Sequence, residues 1–312
     1  TNFPSRKKNF DYDFNINSYL YNQENLSDIL SQLIRTTFIP KKNHRFIIAD
    51  FSAIEARIIA YLSDEKWRID VFNTHGKIYE ASASKMFKVD IDEITKESEL
   101  RQKGKIAELA LGYQGGVKAL VSMGAYNMNL CESELIEIVR AFRSSNTNIV
   151  KLWNTVEKAF IEAVNNKSIV HIDKNISFIY EGNILFIKLP SGRRLSYIRP
   201  KIDYNNAFNK SVITYEGVDS TTKKNTRLTT YGGKLVENIV QAIARDVLGE
   251  AMMNLRNKGF NIVMHVHDEI VLEVENGVSS VEKVVEIMCK ENRYLKGLKL
   301  RADGFESNYY KK

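Results

Sequence analysis

A short apolar run that ends in an acid constrains this chain more than any other stretch of its sequence. Residues 46–49 (FIIA) are all apolar, and Asp50 follows them directly. An apolar run of this length beside a polar residue is typical of a buried β-strand. Beyond it, Ile54, Ile58 and Leu62 recur with the spacing of one helix face. The stretch is therefore predicted to form a core strand, an acid and then a helix.

The helix after this strand is predicted to begin at Ser52. Ser52 and Glu55, three residues later, fit a capping box, in which each side chain accepts a backbone N–H of the other residue. Asp50 would then lie where a core strand gives way to a helix. Catalytic acids are often held at such positions, because the strand fixes the backbone while the carboxylate meets solvent. Taken alone, Asp50 is more simply interpreted as a turn acid.

A second acidic stretch changes that interpretation. His267, Asp268 and Glu269 stand at the centre of residues 261–274 (NIVMHVHDEIVLEV), between two apolar runs. Charged groups in an apolar hairpin cost free energy unless they bind something. An exposed hairpin turn is the simpler alternative, although this centre lacks the Gly, Asn or Pro that tight turns favour. His265 together with His267 also leaves a zinc or iron site open.

A long amphipathic helix is predicted over residues 96–113. Arg101, Lys105, Leu109 and Tyr113 recur every four residues and form one stripe along it. Two cations followed by an apolar and an aromatic residue suit an anion with a flat end, such as a nucleoside triphosphate. The alternative is a solvated charged face, with the last two side chains turned to the core.

The remaining pattern predicts a helical middle followed by a strand-rich segment. Gly and polar clusters separate the predicted elements. These are a strand over residues 35–40, helices over 78–87 and between 117 and 167, antiparallel strands over 168–189 and 193–200, a loop over 205–226, a helix over 232–258, the hairpin over 261–274 and a helix over 281–294.

Composition limits the class of protein. Of 312 residues, 44% are hydrophobic and 27% charged, which is typical of a globular chain with one large core or two lobes. No apolar run approaches the roughly 20 residues that span a bilayer, so no membrane partner is expected. Cys131 and Cys289 are too few for a disulfide scaffold and predict free thiols in a reducing compartment. A net charge of +7 is compatible with a polyanionic partner.

Three of these stretches together resemble the polymerase domain of family A DNA polymerases, the group that includes bacterial polymerase I, and in particular its phage and prophage branch. The family's Asp-(Tyr/Phe)-Ser-x-x-Glu-x-Arg stretch matches residues 50–57. Its helix with Arg, Lys, an apolar or aromatic residue and Tyr at steps of four matches residues 101–113. Its Val-His-Asp-Glu hairpin matches residues 266–269. Each match alone is weak or moderate, but the three in order are specific.

The resemblance implies template-directed DNA synthesis by a DNA-directed DNA polymerase, with primer-template DNA and deoxynucleoside triphosphates as partners. It implies two Mg²⁺ ions, or Mn²⁺ in their place, held by Asp50 and Asp268. Glu269 would support these acids and Lys105 would protonate the leaving pyrophosphate. The implied nucleotide-binding residues are Arg35, Glu55, Tyr79, Arg101, Lys105, Leu109 and Tyr113. The implied DNA-binding residues are Arg6, Gln241 and His267.

Two of the implied nucleotide-binding positions depart from the family's pattern. Leu109 stands where polymerase I members carry Phe or Tyr, and Tyr79 stands where many members carry His. The sugar discrimination that the family's aromatic residue implies therefore does not carry over to Leu109, and the resemblance implies that Glu55 helps to exclude a ribose 2′-hydroxyl. A phosphate contact from Tyr79 would use its hydroxyl.

The implied fold is α+β. An antiparallel palm sheet flanked by helices would comprise residues 1–62 and 232–312. A mostly helical fingers lobe would comprise residues 63–231 and carry a small β insertion, residues 168–230. In the family, a thumb and an exonuclease-like domain precede the stretch at residues 2–6 (NFPSR). The chain is therefore expected to hold palm and fingers only, with the thumb and exonuclease part as a further partner, in the cytoplasm of a bacterial or phage-infected cell.

Two other functions stay open. The first is a non-catalytic remnant that binds nucleic acid, although Asp50 and Asp268 are both intact. The second is a metal-dependent phosphohydrolase built on the HxHDE stretch, which requires His265 and His267 as ligands of zinc or iron. The polymerase interpretation requires Asp50 and magnesium or manganese instead.

Overall fold

A computed structural model describes residues 34–128, 130–205 and 210–311, so the predicted DNA contact Arg6 lies outside the described residues. Runs of helices and runs of antiparallel strands follow one another along the chain, and the strands form two sheets, which confirms the α+β prediction. The described α-helices are α1 Ile54–Ser63, α2 Lys66–Asn73, α3 Ile78–Phe87, α4 Glu99–Leu111, α5 Val117–Ser122, α6 Glu132–Ser145, α7 Thr147–Asn166, α8 Gly232–Asn257 and α9 Val281–Met288. The described strands are β1 His44–Phe51, β2 Ile169–Ile172, β3 Ile176–Glu181, β4 Ile184–Lys188, β5 Arg194–Asn205, β6 Lys210–Val218, β7 Asn225–Thr230, β8 Asn261–Val266, β9 Glu269–Glu275 and β10 Ala302–Ser307.

The four-stranded sheet has the order β10-β1-β9-β8, and all of its pairs are antiparallel. Strand β1 lies inside this sheet, which explains why its apolar run is buried on both faces. Ile47 and Ala49 pack into the main core on one face. Phe46 and Ile48 pack with Tyr310 on the other. The predicted strand and hairpin are thus confirmed as the centre of the fold.

Strand β10 is absent from the sequence-based prediction. Its sequence, ADGFES, is largely polar, and as an edge strand it has no run of buried residues. It is a strand because its backbone pairs with β1 from Phe46 opposite Ser307 to Phe51 opposite Ala302. The helix predicted over residues 281–294 is correspondingly shorter, since α9 ends at Met288.

The six-stranded sheet runs in sequence order from β2 to β7. Its first three strands confirm the prediction for residues 168–189. The predicted loop over residues 205–226 is wrong, because β6 lies within it and pairs with both β5 and β7. Ile213 and its neighbour Thr214 are both buried, so the strand lacks the regular alternation of buried apolar and exposed polar residues by which a strand is predicted.

Two other predictions of local structure are wrong. Residues 35 and 36, which begin the predicted strand over residues 35–40, are helical rather than extended. The capping box does not form: α1 begins at Ile54, and its N-cap is Ala53, in a left-handed conformation with φ 52°. Ser52 Oγ donates instead to Asp303 Oδ2 at 2.6 Å. The side chain predicted to cap the helix therefore ties β1 to β10.

Two buried clusters organise the packing. The main core joins the four-stranded sheet to α1, α7, α8 and α9 and to the inner face of the six-stranded sheet. A second cluster joins α3, α4, α5 and α6, with Leu111 and Phe142 among its most buried members. The division into residues 1–62 with 232–312 and residues 63–231 stays a prediction. No helix of the described residues has the length and apolar character needed to cross a membrane.

Candidate functional site

Three acids lie side by side across the four-stranded sheet. Asp50 on β1 is directly opposite Glu269 on β9 and directly opposite Asp303 on β10. Residues that face each other in an antiparallel pair point to the same side of a sheet. The end of β1 therefore carries a row of acidic positions, of which Asp303 has no counterpart in the sequence-based prediction.

Asp268 joins this row through a tight turn. His267 and Asp268 are the two residues between β8 and β9, and the backbone N–H of Phe51 donates to the Asp268 carbonyl at 3.3 Å. His267 has φ 53°, a left-handed conformation that is uncommon outside glycine. The turn is thus built without the usual turn residues, and non-glycine residues in such conformations cluster at functional sites.

Glu269 is buried beneath the site. It is 1% exposed, and its Oε1 accepts a hydrogen bond from the Tyr310 hydroxyl at 2.8 Å. Burial and this carboxylate raise the pKa of Tyr310 to about 12, so the phenol stays a donor. The Arg35 guanidinium lies 6.0 Å from the Tyr310 ring centre. The structure therefore brings Arg35 to the acidic end of the sheet.

Asp50 and Asp268 offer a donor set that suits a hard divalent cation. Carboxylate oxygens are the ligands that Mg²⁺ and Mn²⁺ prefer. Among the described residues, no group of three or more His, Cys, Asp or Glu side chains forms a ready metal site. Mg²⁺ is usually held by one or two carboxylates, with water and substrate phosphates completing its shell. The two aspartates fit that kind of site.

His265 does not belong to this site. It pairs with Ile270, whose side chain packs into the main core, whereas Glu269 pairs with Asp50 on the opposite face. Its ring nitrogens lie 3.2 and 3.3 Å from the guanidinium nitrogens of Arg245. The positive charge of Arg245 at that distance would repel a metal cation bound to the same imidazole ring. This geometry counts against the HxHDE phosphohydrolase.

Glu55 and Tyr113 meet beside the acidic row. The Tyr113 hydroxyl donates to Glu55 Oε2 at 2.8 Å. Burial raises the pKa of the Glu55 carboxyl, nearby Glu237 and Asp268 raise it further, and Tyr113 and Gln241 oppose the shift. Burial also raises the pKa of Tyr113. The exposed Gln241 on α8 thus belongs to the same neighbourhood.

Helix α4 presents the middle of the predicted stripe to solvent. Lys105 is exposed and Leu109 is 51% exposed, while Gly104, Ala107 and Leu111 form the buried side. Tyr113 lies just past the helix end and is half-buried against the main core. Leu109 thus presents an apolar side chain to solvent on the same face as Lys105.

Arg101 lies at the other end of α4. Its Nε donates to Glu80 Oε1 at 2.6 Å, and its guanidinium lies 5.5 Å from the centre of the Tyr79 ring. Both partners come from α3. A cavity of about 420 Å³ opens beside them, and its lining includes the charged side chains of Lys77, Glu80, Asp92, Lys96 and Arg101.

Comparison with known proteins decides the family. The profile described as DNA polymerase family A matches residues 21–303, most of the chain. This chain is a member of the family A DNA polymerases. It is 57% identical over 284 residues to the DNA polymerase of Bacillus phage SP02, which confirms the resemblance to the phage branch. Members of this family are metal-dependent enzymes.

The relatives of this family A chain are longer than the chain itself. The match covers 91% of the chain but 44% of the phage polymerase. DNA polymerase I of Borreliella burgdorferi is 27% identical, and the match covers 89% of the chain and 26% of that protein. The chain therefore spans less than half the length of the curated relatives it matches.

A solved structure has the same fold. The POL domain of Pol1 from M. smegmatis, in complex with DNA primer-template and dNTP, matches with a TM-score of 0.60 at 22% identity. The match covers 89% of this chain and 42% of that one. This likeness extends over most of the chain and concerns the fold alone.

The structure gathers most of the residues predicted for a family A site, but in two groups. The first group, at the end of the four-stranded sheet, is Arg35, Asp50, Glu55, Tyr113, Gln241, His267, Asp268 and Glu269. The second group lies on α3 and the first half of α4 and is Tyr79 and Arg101. Lys105 and Leu109 lie between the two groups on the exposed stripe. Sequence reasoning missed Glu80, Asp303 and Tyr310, whose partners are far away along the chain.

Replacing Glu55 by glutamine is expected to make stability less dependent on pH. Because the pKa of folded Glu55 is raised, its contribution to the free energy of unfolding is complete below the ordinary carboxyl pKa. That contribution is lost as pH rises through the raised value. Glu55→Gln should therefore gain stability over the unaltered chain across this window, measured by urea unfolding at a series of pH values.

A second variant checks the cause. Tyr113→Phe removes a hydrogen bond that stabilises the Glu55 carboxylate. It should raise the pKa of Glu55 further, so that the loss of stability becomes larger and extends to higher pH. A pH-independent difference between Glu55→Gln and the unaltered chain would contradict the assignment.

Proposed function

We propose that this chain performs template-directed DNA synthesis, adding deoxynucleotides to a primer 3′-hydroxyl as a DNA-directed DNA polymerase. The observation that carries the proposal is the placement of Asp50 and Asp268 at one end of the four-stranded sheet, beside Glu55 and Tyr113. Membership of the family A polymerases supports it. The chain matches less than half the length of each relative, so the activity of the relatives is proposed, and not established, for this chain.

Asp50 and Asp268 are proposed to hold two Mg²⁺ ions, for which Mn²⁺ can substitute. When bound, the ions supply charge neutralisation for the attacking 3′-oxygen and the leaving pyrophosphate. The chain's own contribution is position: β1 fixes Asp50, and the hydrogen bond from Phe51 N fixes the backbone at Asp268. Glu269 follows Asp268 directly, and its hydrogen bond with Tyr310 holds the start of β9 beside the two aspartates.

The helix α4 is proposed to bind the incoming nucleotide along its exposed stripe. Arg101 and Lys105 bind the triphosphate, and Lys105 donates a proton to the leaving pyrophosphate. Leu109 and Tyr113 pack against the nascent base pair. Catalysis of phosphoryl transfer is mainly positioning and charge stabilisation, so such contacts carry much of the rate.

The remaining predicted residues have supporting roles in this proposal. Glu55 lies against the position of a ribose 2′-hydroxyl and excludes it. Arg35 and Tyr79 contact phosphates. Gln241, exposed on α8, reads minor-groove acceptors that every correct base pair presents. His267 contacts the primer terminus.

The proposed partners are primer-template DNA and deoxynucleoside triphosphates, in the cytoplasm of a bacterial or phage-infected cell. The relatives are more than twice as long as the matched region. A thumb and exonuclease part of the same protein is therefore proposed as a third partner, which holds the duplex. Without it, binding to primer-template by this chain should be weak and sensitive to salt.

The proposal is tested by extension of a primed template at low salt with Mg²⁺. Four templates that differ only at the next base should each direct the complementary deoxynucleotide, read by gel electrophoresis. Extension that ignores the template base would contradict the proposal. DNA binding without extension, in conditions where a thumb-containing relative extends, would favour the non-catalytic remnant.

A further inference from the structure

Helices α3 and α4 approach each other unusually closely at Gly104. A Cβ atom at this position would lie 2.3 Å from the Tyr79 carbonyl oxygen and 3.1 Å from the Ala83 Cβ. Contact below 3.0 Å with backbone cannot be relieved by a side-chain movement. Glycine therefore sets the distance between the helices, and Arg101, one turn earlier on α4, is held against α3.

Two neighbouring residues of α3 contact the Arg101 guanidinium in different ways. Glu80 Oε1 accepts from Nε at 2.6 Å, and the Tyr79 ring lies under the guanidinium carbon at 5.5 Å. The Arg101 and Glu80 side chains are 18% and 13% exposed, so solvent screens this pair only weakly. Contacts with α3 therefore fix both the Nε edge and one face of the Arg101 guanidinium.

The hydrogen bond at Nε leaves the two terminal guanidinium nitrogens of Arg101, its fork, available to bind a phosphate. The hydrogen bonds described for its side chain involve Nε and not the two terminal nitrogens. These terminal nitrogens are the pair that binds phosphate in a bidentate way. A carboxylate that held the fork itself would compete with phosphate, whereas one that holds Nε orients the fork.

We propose that Glu80 is a positioning residue for nucleotide binding, which orients Arg101 toward the triphosphate. This rests on the proposed function, since it assigns Arg101 to the triphosphate. A long side chain that is ordered in advance loses less conformational entropy when its ligand binds. Glu80 acts through Arg101 and makes no contact with the nucleotide itself.

The test measures binding of inorganic tripolyphosphate with Mg²⁺ to the 312-residue chain by calorimetry. Glu80→Ala should weaken this binding roughly threefold to tenfold, the cost of ordering one long side chain during binding. Glu80→Gln retains an acceptor for Nε and should weaken it less. Arg101→Ala should lose most of the binding. In primer extension, Glu80→Ala should raise KM for the deoxynucleotide and leave kcat close to that of the unaltered chain.

The matched control is Glu134→Gln, which alters a more exposed ion pair of α4, between Lys103 and Glu134 at 3.7 Å. Its binding should equal that of the unaltered chain. Unchanged or tighter binding in Glu80→Ala, with the Arg101 dependence intact, would overturn the inference and leave the proposed function standing. Tripolyphosphate binding that does not depend on Arg101 would overturn both the inference and the triphosphate role of Arg101.

Discussion

Asp50→Asn and Asp268→Asn should each lower the rate of primer extension roughly 1,000-fold, equivalent to about 4 kcal/mol of transition-state stabilisation. Each change removes a negative oxygen at the end of the four-stranded sheet and keeps the size of the side chain. The backbone contacts of both positions, the β1 pairing and the bond from Phe51 N, do not involve the carboxylates. The folded structure should therefore survive. Single-turnover extension at saturating deoxynucleotide measures the effect.

The control for these variants is Asp70→Asn. Asp70 is exposed on α2 and lies outside both groups of site residues. Its extension rate should match that of the unaltered chain. Equal losses in all three variants would point to charge or folding rather than to the proposed site. Full activity in Asp50→Asn would remove that residue from the chemistry.

Glu108→Ala should lower the free energy of unfolding by about 3–5 kcal/mol, because it leaves a buried cation without its carboxylate. Glu108, on α4, forms an ion pair with Arg68, which is 1% exposed and also donates to Asn146 Oδ1 at 2.7 Å. This pair anchors the buried side of α4 to α2 and to the start of α7. Urea unfolding followed by circular dichroism measures the change.

A matched control separates burial from charge. Glu286→Ala removes one partner of the exposed pair Lys283–Glu286 on α9. Exposed pairs contribute little, so its unfolding midpoint should stay near that of the unaltered chain. A similar loss in both variants would mean that Arg68 is not effectively buried, and that α4 is anchored by other contacts.

The central strands of the four-stranded sheet could be predicted because each contains a continuous apolar run in the sequence. The run before Asp50 and the runs around His267 are apolar over successive residues, so strands were predicted correctly. The stripe on α4 follows the helical period, so the helix was predicted correctly from its spacing. In each case the signal lies within about a dozen residues of sequence.

The missed features depend on contacts that no local pattern contains. Asp303 is placed by the pairing of β10 with β1, and Ser52 reaches it across 251 residues of sequence. Glu80 meets Arg101 because Gly104 lets two helices approach, a consequence of packing rather than of period. Residues 35–40 contain strand-forming residues, yet their start is helical, since tertiary context overrides weak propensity.

The most direct test of the central claim is binding of Mn²⁺ to the chain, followed by electron paramagnetic resonance with and without a deoxynucleoside triphosphate. The polymerase site predicts that the nucleotide strengthens Mn²⁺ binding, and that Asp50→Asn and Asp268→Asn each abolish this strengthening. This readout does not depend on a thumb or on DNA. Nucleotide-independent binding that survives both changes but is lost in His265→Ala would contradict the account and favour the histidine-based metal site.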